Sequence, residues 1–365
     1  SLSEDIRHYL SHEPVSARAD SFAYRARKFI RKHRVPVALA ALATIGLVGA
    51  ATRERELRGR AELEAKKAVA VETYLVSIFG AADPYAPTTD KPNDVTARTL
   101  LDRGAERMDT SLSNQPEVRA ELRGALGQVY ANLGVYPKAT AELRTSLAER
   151  RALYGSNNIA VAEAMERLGD VLRAVDSLDE AETLLRGALD VRRKLLGDRN
   201  EATAEALDHL GELYVQRHTF AKAEPLIREA LTIRRELYGD SALEVASSRN
   251  YLGQMLHAKG EDSAAAIEFR AALAIRARRL GADHPTTSLT LQDLAGAEDR
   301  LGHYADAERD WKRAIAIDKK AFGTAHHSIT TSLNGLGQML FKVGRLEEAD
   351  SMLREALAIN RQLFG

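Results

Sequence analysis

The chain has 365 residues, 45% of them hydrophobic and 28% charged, with only 5% aromatic and no cysteine. The absence of cysteine excludes disulfides, a thiolate nucleophile and a cysteine-based zinc site. Lys+Arg and Asp+Glu balance at 52 each, yet residues 1–60 hold 12 basic against 6 acidic side chains, so the rest of the chain is mildly acidic. A basic head on an acidic body argues against a nucleic-acid scaffold and points to something local near the N-terminus.

Residues 1–34 carry a short amphipathic pattern at Ile6, Tyr9 and Leu10 and a second at Phe22, Tyr24, Phe29 and Ile30. Arg25, Arg27, Lys28, Arg31, Lys32 and Arg34 surround the second. Residues 35–52 hold no charge at all. A membrane-spanning helix needs ~20 apolar residues, with ~17 as the lower limit. This run of 18 is a candidate transmembrane helix. The alternative is a buried core helix; a cleaved signal peptide fits less well, because some 35 residues precede the run,. The basic cluster ahead of it outweighs the mixed Arg53-Glu54-Arg55-Glu56 behind it. Positive-inside bias then places the N-terminus in the cytoplasm and residues 53–365 outside it,. A wholly cytoplasmic chain is the other localisation. The first residue is Ser1, which fits a piece of a longer protein.

Residues 53–115 read as a helical linker and capping helices. One helix runs to Gly80; Pro84, Pro87 and Pro92 mark a loop,. Asp94 can N-cap the next helix, with Leu100, Leu101 and Met108 on one face,. That helix is expected to cover the open end of the array that starts at residue 116,.

From residue 116 a Leu-Gly recurs: Leu126-Gly127, Leu168-Gly169, Leu210-Gly211, Leu252-Gly253, Leu294-Ala295 and Leu336-Gly337. Every step is 42 residues. A fixed period of this size marks a solenoid, in which each unit buries its apolar face on the next. Six units are present, at about 116–157, 158–199, 200–241, 242–283, 284–325 and 326–365. Each reads as two helices, with a turn at Gly134, Asp176, His218, Gly260, Gly302 or Gly344. The second helix carries Ala139, Ala181, Ala223, Ala265, Ala307 or Ala349, where two tightly packed backbones need a small residue,. Large residues then fill the gap: Leu143, Leu185, Ile227, Phe269, Trp311 and Leu353. Each second helix stops at a glycine (Gly155, Gly197, Gly239, Gly281, Gly323 and Gly365), as expected of a left-handed C′ residue,. Pro285 fits the first position of a new helix,.

These offsets resemble the tetratricopeptide repeat. Gly211, Tyr214, Ala223, Ile227 and Ala230 stand at that family's spacing. The period exceeds the family's usual length of about 34 residues. The excess falls in a lengthened second helix, a variant similar to the repeats of kinesin light chains and their bacterial relatives. The resemblance implies an all-α, right-handed α-solenoid of six helix-turn-helix repeats, here preceded by the single candidate transmembrane helix. The fifth copy departs, with Ala295 for Gly and Glu298 for Tyr or Leu, which implies looser packing or a partner contact there. A second resemblance covers residues 1–115. Tyr24-Arg25-Ala26-Arg27-Lys28-Phe29 with the apolar run, then Phe79 to Pro84 and Leu100 to Ala105, is similar to the juxtamembrane and membrane region of bacterial receptor-type Ser/Thr protein kinases. The kinase motifs themselves are absent from the sequence, so no kinase activity is expected of it,.

The ten histidines form no metal motif, and no nucleophile constellation is present,. No enzyme activity, cofactor or metal is expected. The expected function is binding: a membrane-anchored interaction module, sensor or scaffold, holding a protein or peptide in its concave groove. The alternative is the non-catalytic C-terminal region of a transmembrane Ser/Thr kinase. In this repeat family the first helices line the groove, with positions one and three before the Leu-Gly glycine, and one or four after it, facing inward or to the rim. Asp208 and Glu212 are acidic there and would favour a basic segment. Asn250, Gln254, Gln292, Asn334 and Gln338 present amides, which can pair with an extended peptide backbone,. The competing reading is structural: Arg150, Arg192, Arg234 and Arg276 recur at the repeat period and would pair with acidic residues of the next unit. A homo-oligomer stays open.

Overall fold

A computed structural model describes residues 97–364, together with a few isolated positions before them. The apolar run 35–52 and nearly all of the segment similar to receptor kinases lie outside the described residues. So does Gly365. Among the described residues no helix is long and apolar enough to cross a membrane. Leu101–Gly365 form one compact unit.

Thirteen helices and no strand make up the described residues. They are α1 (Ala97–Ser111), α2 (Pro116–Asn132), α3 (Tyr136–Tyr154), α4 (Ile159–Ala174), α5 (Leu178–Leu196), α6 (Glu201–Gln216) and α7 (Phe220–Tyr238). Then come α8 (Leu243–Lys259), α9 (Asp262–Leu280), α10 (Pro285–Arg300), α11 (Tyr304–Phe322), α12 (His327–Lys342) and α13 (Leu346–Phe364). From α2 onward they form six pairs. Every second helix has 19 residues, against 16 or 17 in the first helices, so the long period does reside in the second helix.

Start signals differ between copies. Asn158 and Asn200 cap α4 and α6 by accepting from Ala160 N (2.8 Å) and Ala202 N (2.9 Å),. His284 and His326 do the same for α10 and α12 through Nδ1 (3.2 and 3.3 Å). Pro285 is the first residue of α10.

Stop signals are uniform and differ from the expected left-handed cap. Gly155, Gly197, Gly239, Gly281 and Gly323 have φ of 73–99° with ψ near the extended limit. Only glycine reaches that region readily. The left-handed geometry appears instead in the turn inside each repeat, at Gly134, Gly260, Gly302 and Gly344 and also at Asp176 (φ 62°) and His218 (φ 54°).

The small residues meet where expected. The alanines of the second helices are fully buried, or 2% exposed at Ala349. A Cβ on Gly211 would fall 2.8 Å from Ile227, and one on Gly253 would fall 2.5 Å from Phe269. The fifth copy is not loose. Ala295 is buried with Ala307, Trp311, Leu336 and Met339. The Trp311 ring lies against Gly335 of the sixth copy, where a Cβ would be 2.8 Å away. Glu298 is 1% exposed and accepts from Arg270 at 2.7 Å.

First helices of successive repeats touch directly: α2 with α4, α4 with α6, and so on to α10 with α12. Second helices approach one another less closely and are bridged by long side chains, Arg144 to Glu180 (2.7 Å), Arg193 to Glu229 (2.6 Å) and Lys319 to Glu355 (2.7 Å). The first-helix layer is therefore the tighter one, and the stack curves toward it. Its exposed side is the inner, concave face.

Candidate functional site

The concave face is built from three positions of each first helix: three and two before the Leu-Gly glycine, and one after it. The last lies four and three residues beyond the other two, so it shares a face with each of them. The residue one before the glycine, expected to face inward or to the rim, is instead core: Leu126, Leu168, Leu210, Leu252, Leu294 and Leu336 are all buried.

At the position three before the glycine, Glu166, Asp208 and Gln292 are tied to the second helix of their own repeat, 26 residues on. Glu166 accepts from Arg192, and Asp208 from Arg234. Arg234 also donates to Glu201 (2.8 Å) and to Ser248 of the next repeat (2.6 Å). Gln292 donates to Asp318 (3.1 Å), which stands where earlier copies have arginine. Arg150 and Arg276 reach forward, to the carbonyl oxygens of Ala160 (2.9 Å) and Thr286 (3.2 Å). The periodic arginines therefore act within and between repeats.

The middle of the face is a chain of polar contacts between repeats. His209 Nδ1 lies 3.1 Å from Asp170, and Arg173 pairs with Glu212 at 2.9 Å. Asn250 and Gln254 both donate to Asp293 Oδ2, at 2.8 and 2.9 Å. The amides of Asn250, Gln254 and Gln292 are thus engaged by neighbouring carboxylates, which leaves fewer donors for a peptide backbone than the sequence implies. Asn334 is half-buried and Gln338 exposed; neither makes a side-chain hydrogen bond among the described residues. Of the seven positions, Asp208 and Glu212 share one cleft, Asn250 and Gln254 share one partner, and the last three lie further along the face.

That cleft, of about 300 Å³, lies between α6 and α8 and is lined by Glu201, Glu205, Asp208, His209, Glu212, Arg234, Glu244, Ser247 and Tyr251. Burial pushes the Asp208 carboxyl up to about 6, against the pull of Arg234,. Burial also raises Glu212, opposed by Arg173. For His209 burial works against the charge, but the hydrogen bond and charge of Asp170, helped by Glu166 and Glu212, hold it up to about 9. His209, Tyr251 and Asp293, all two before the glycine, were not legible as groove residues. The signal was present: that position lies three residues ahead of Asp170-, Glu212- and Gln254-type positions, on the same helical face.

Stacked helix pairs with a polar inner face define an α-solenoid binding scaffold. The chain belongs to the tetratricopeptide repeat family, whose model matches residues 118–186, 161–236, 208–278 and 300–362. No curated protein matches it in sequence. Among solved structures it is similar to BtubC (BKLC) from P. vanneervenii, with TM-score 0.51 and 22% identity over 61% of this chain and 90% of that one. It is also similar to a Rap protein complexed with Competence and Sporulation Factor, with TM-score 0.51 and 13% identity over 82% and 98% of the two chains. Kinesin-light-chain TPR-like repeats from Podosopora anserina align with TM-score 0.49 and 20% identity, over 57% of this chain and 98% of theirs. At these identities the likeness concerns the fold.

Proposed function

We propose that the chain is a protein-interaction scaffold whose concave face takes an extended segment of a protein or peptide. The supporting observation is the continuous polar strip on the first helices, opening into the cleft between α6 and α8. The Rap protein of similar fold, complexed with a factor, fits this reading. The test is hydrogen exchange of the full chain with peptides selected from a random dodecapeptide library. Bound peptide should protect amides of α4, α6, α8 and α10 and leave the outer faces of α5, α7 and α9 unchanged. Protection confined to second helices would overturn the reading.

The proposal includes a membrane anchor at residues 35–52 with the repeats outside the cytoplasm, supported by the charge-free run and the basic cluster before it,. Cell fractionation with protease protection tests it. Repeats that pellet with membranes and are cut only from the outer face support the anchor; chain in the soluble cytoplasmic fraction overturns it. The N-terminal motifs favour a second reading, in which these repeats are the non-catalytic C-terminal region of a Ser/Thr kinase. Whether the gene reads upstream of Ser1 into a kinase domain decides it.

A further inference from the structure

The row of side chains three before the Leu-Gly glycine has a gap in the first repeat. Copies two and three place a carboxylate there, and a guanidinium from their own second helix holds it: Arg192 holds Glu166, and Arg234 holds Asp208. The first copy keeps the guanidinium, Arg150, and has Gly124 where the carboxylate would stand.

Two cations converge on the space this leaves. Arg150 Nη2 lies 3.7 Å from where a Cβ on Gly124 would be, and Arg167 Nη1 of α4 lies 3.6 Å from the same point. Arg150 is only 7% exposed. Its Nη1 donates to the Ala160 carbonyl (2.9 Å), and the one carboxylate within 4 Å of it among the described residues, Glu163, stands 3.7 Å from that same nitrogen. Nη2, aimed at Gly124, has no partner among the described residues, and Arg167 makes no side-chain hydrogen bond or ion pair there. A guanidinium this deeply buried is costly without a counter-charge, and a second one beside it adds repulsion. The pair is reached from the groove: Arg167 is half-buried, and Ala125 and Gln128 on the same face of α2 are exposed.

The fourth copy shows the contrast. Asn250 also replaces the carboxylate, and Arg276 also turns to a carbonyl oxygen, that of Thr286. The charge it meets from the next first helix is Asp293, an anion in the place of Arg167. Only the first copy sets a second cation against the first.

We propose that the space beside Gly124, between α2 and α4, is a subsite for a carboxylate of the bound segment, held between Arg150 Nη2 and Arg167. The ligand's carboxylate takes the place that Glu166 and Asp208 fill in the next two copies. The inference rests on the groove reading and names the chemistry of one group of its partner.

The test measures binding to the full chain by fluorescence anisotropy, using three labelled nine-residue Gly/Ser peptides. One carries two glutamates and an amidated C-terminus, one two glutamines and a free C-terminus, and one two glutamines and an amidated C-terminus. One of the first two should bind about tenfold more tightly than the third, and which one does so separates a side-chain carboxylate from a terminal one. Arg167→Gln should remove that advantage with unchanged melting, because its side chain holds no other group. Gly124→Asp should remove it too, by supplying the carboxylate within the chain. It should also melt above Gly124→Ala, in spite of the weaker helix propensity of Asp. Equal affinity for the three peptides, undiminished binding by Arg167→Gln, or Gly124→Asp melting below Gly124→Ala overturns the subsite. Inorganic phosphate binding more tightly than either carboxylate peptide overturns it in favour of a free anion. If library peptides protect the groove while neither carboxylate peptide outbinds the third, the groove reading stands and this inference falls. If no peptide of any composition protects the first helices, the groove reading falls as well.

Discussion

His209 sits between Asp170, Glu166 and Glu212, and its charge is held by that setting. Its ordinary value is 6.5, and in the fold it titrates near 9. Folding therefore favours the protonated form, so its contribution to stability is full below pH 6.5 and lost as the pH rises through about 9. Asp208 moves the same way in a lower window. Its carboxyl rises from 3.8 to about 6, so the folded state becomes less favoured as pH climbs between those values,. We expect His209→Gln to melt below the wild type at pH 6 and to converge with it by pH 9.5. Thermal melts across that range check this; parallel curves would show that the ring is not charged in the fold. The clearest misreading in the sequence also lies at this scale. Asn250, Gln254 and Gln292 look like free amides along a helix face. Their carboxylate partners Asp293 and Asp318 lie 26 to 43 residues away, and no local pattern announces that pairing.

Among elements, the helix ends separate two kinds of glycine. Gly239 has φ 81° and ψ 161°, and no atom lies within 4 Å of where its Cβ would be. Crowding is absent, so Gly239→Ala measures backbone strain alone, and a loss of about 1–3 kcal/mol is expected. Asp176 holds φ 62° in a turn where four of the six copies use glycine. Asp176→Gly should stabilise by roughly 0.5–1 kcal/mol, the relief of a left-handed L-residue less the added chain entropy. Urea unfolding of both variants decides; a neutral Gly239→Ala would mean that the chain leaves the helix by another route. The periodic glycines were evident in the sequence. Which conformation each adopts was not, because a glycine letter is the same for a left-handed turn and for an extended positive-φ exit.

For the whole molecule, stability in a stack of this kind is a sum of repeats and of the interfaces between neighbours. The interface between the fifth and sixth copies carries its own reporter, since Trp311 is the single tryptophan of the chain. Its ring fills the space left by Gly335, while Ala295 occupies the place of the usual glycine. Gly335→Ala should overpack this contact by about 1–3 kcal/mol and shift Trp311 emission toward that of an exposed indole. Unchanged emission and melting would place the ring elsewhere.

The sequence by itself determined the helical class, the six copies, the lengthened second helix and the buried alanines, because repetition at a fixed spacing converts one packing requirement into six visible letters. Asp208 and Glu212 were groove candidates through the resemblance to the tetratricopeptide repeat, and both line the cleft between α6 and α8. Tertiary structure alone decided that the fifth copy is well packed, that the amides are held by carboxylates of neighbouring helices, and that Glu205, Glu244 and Tyr251 converge with Asp208 on one cleft. Those outcomes depend on which side chains meet across helices a repeat apart, a distance set by the stacking and not by any residue's own propensity.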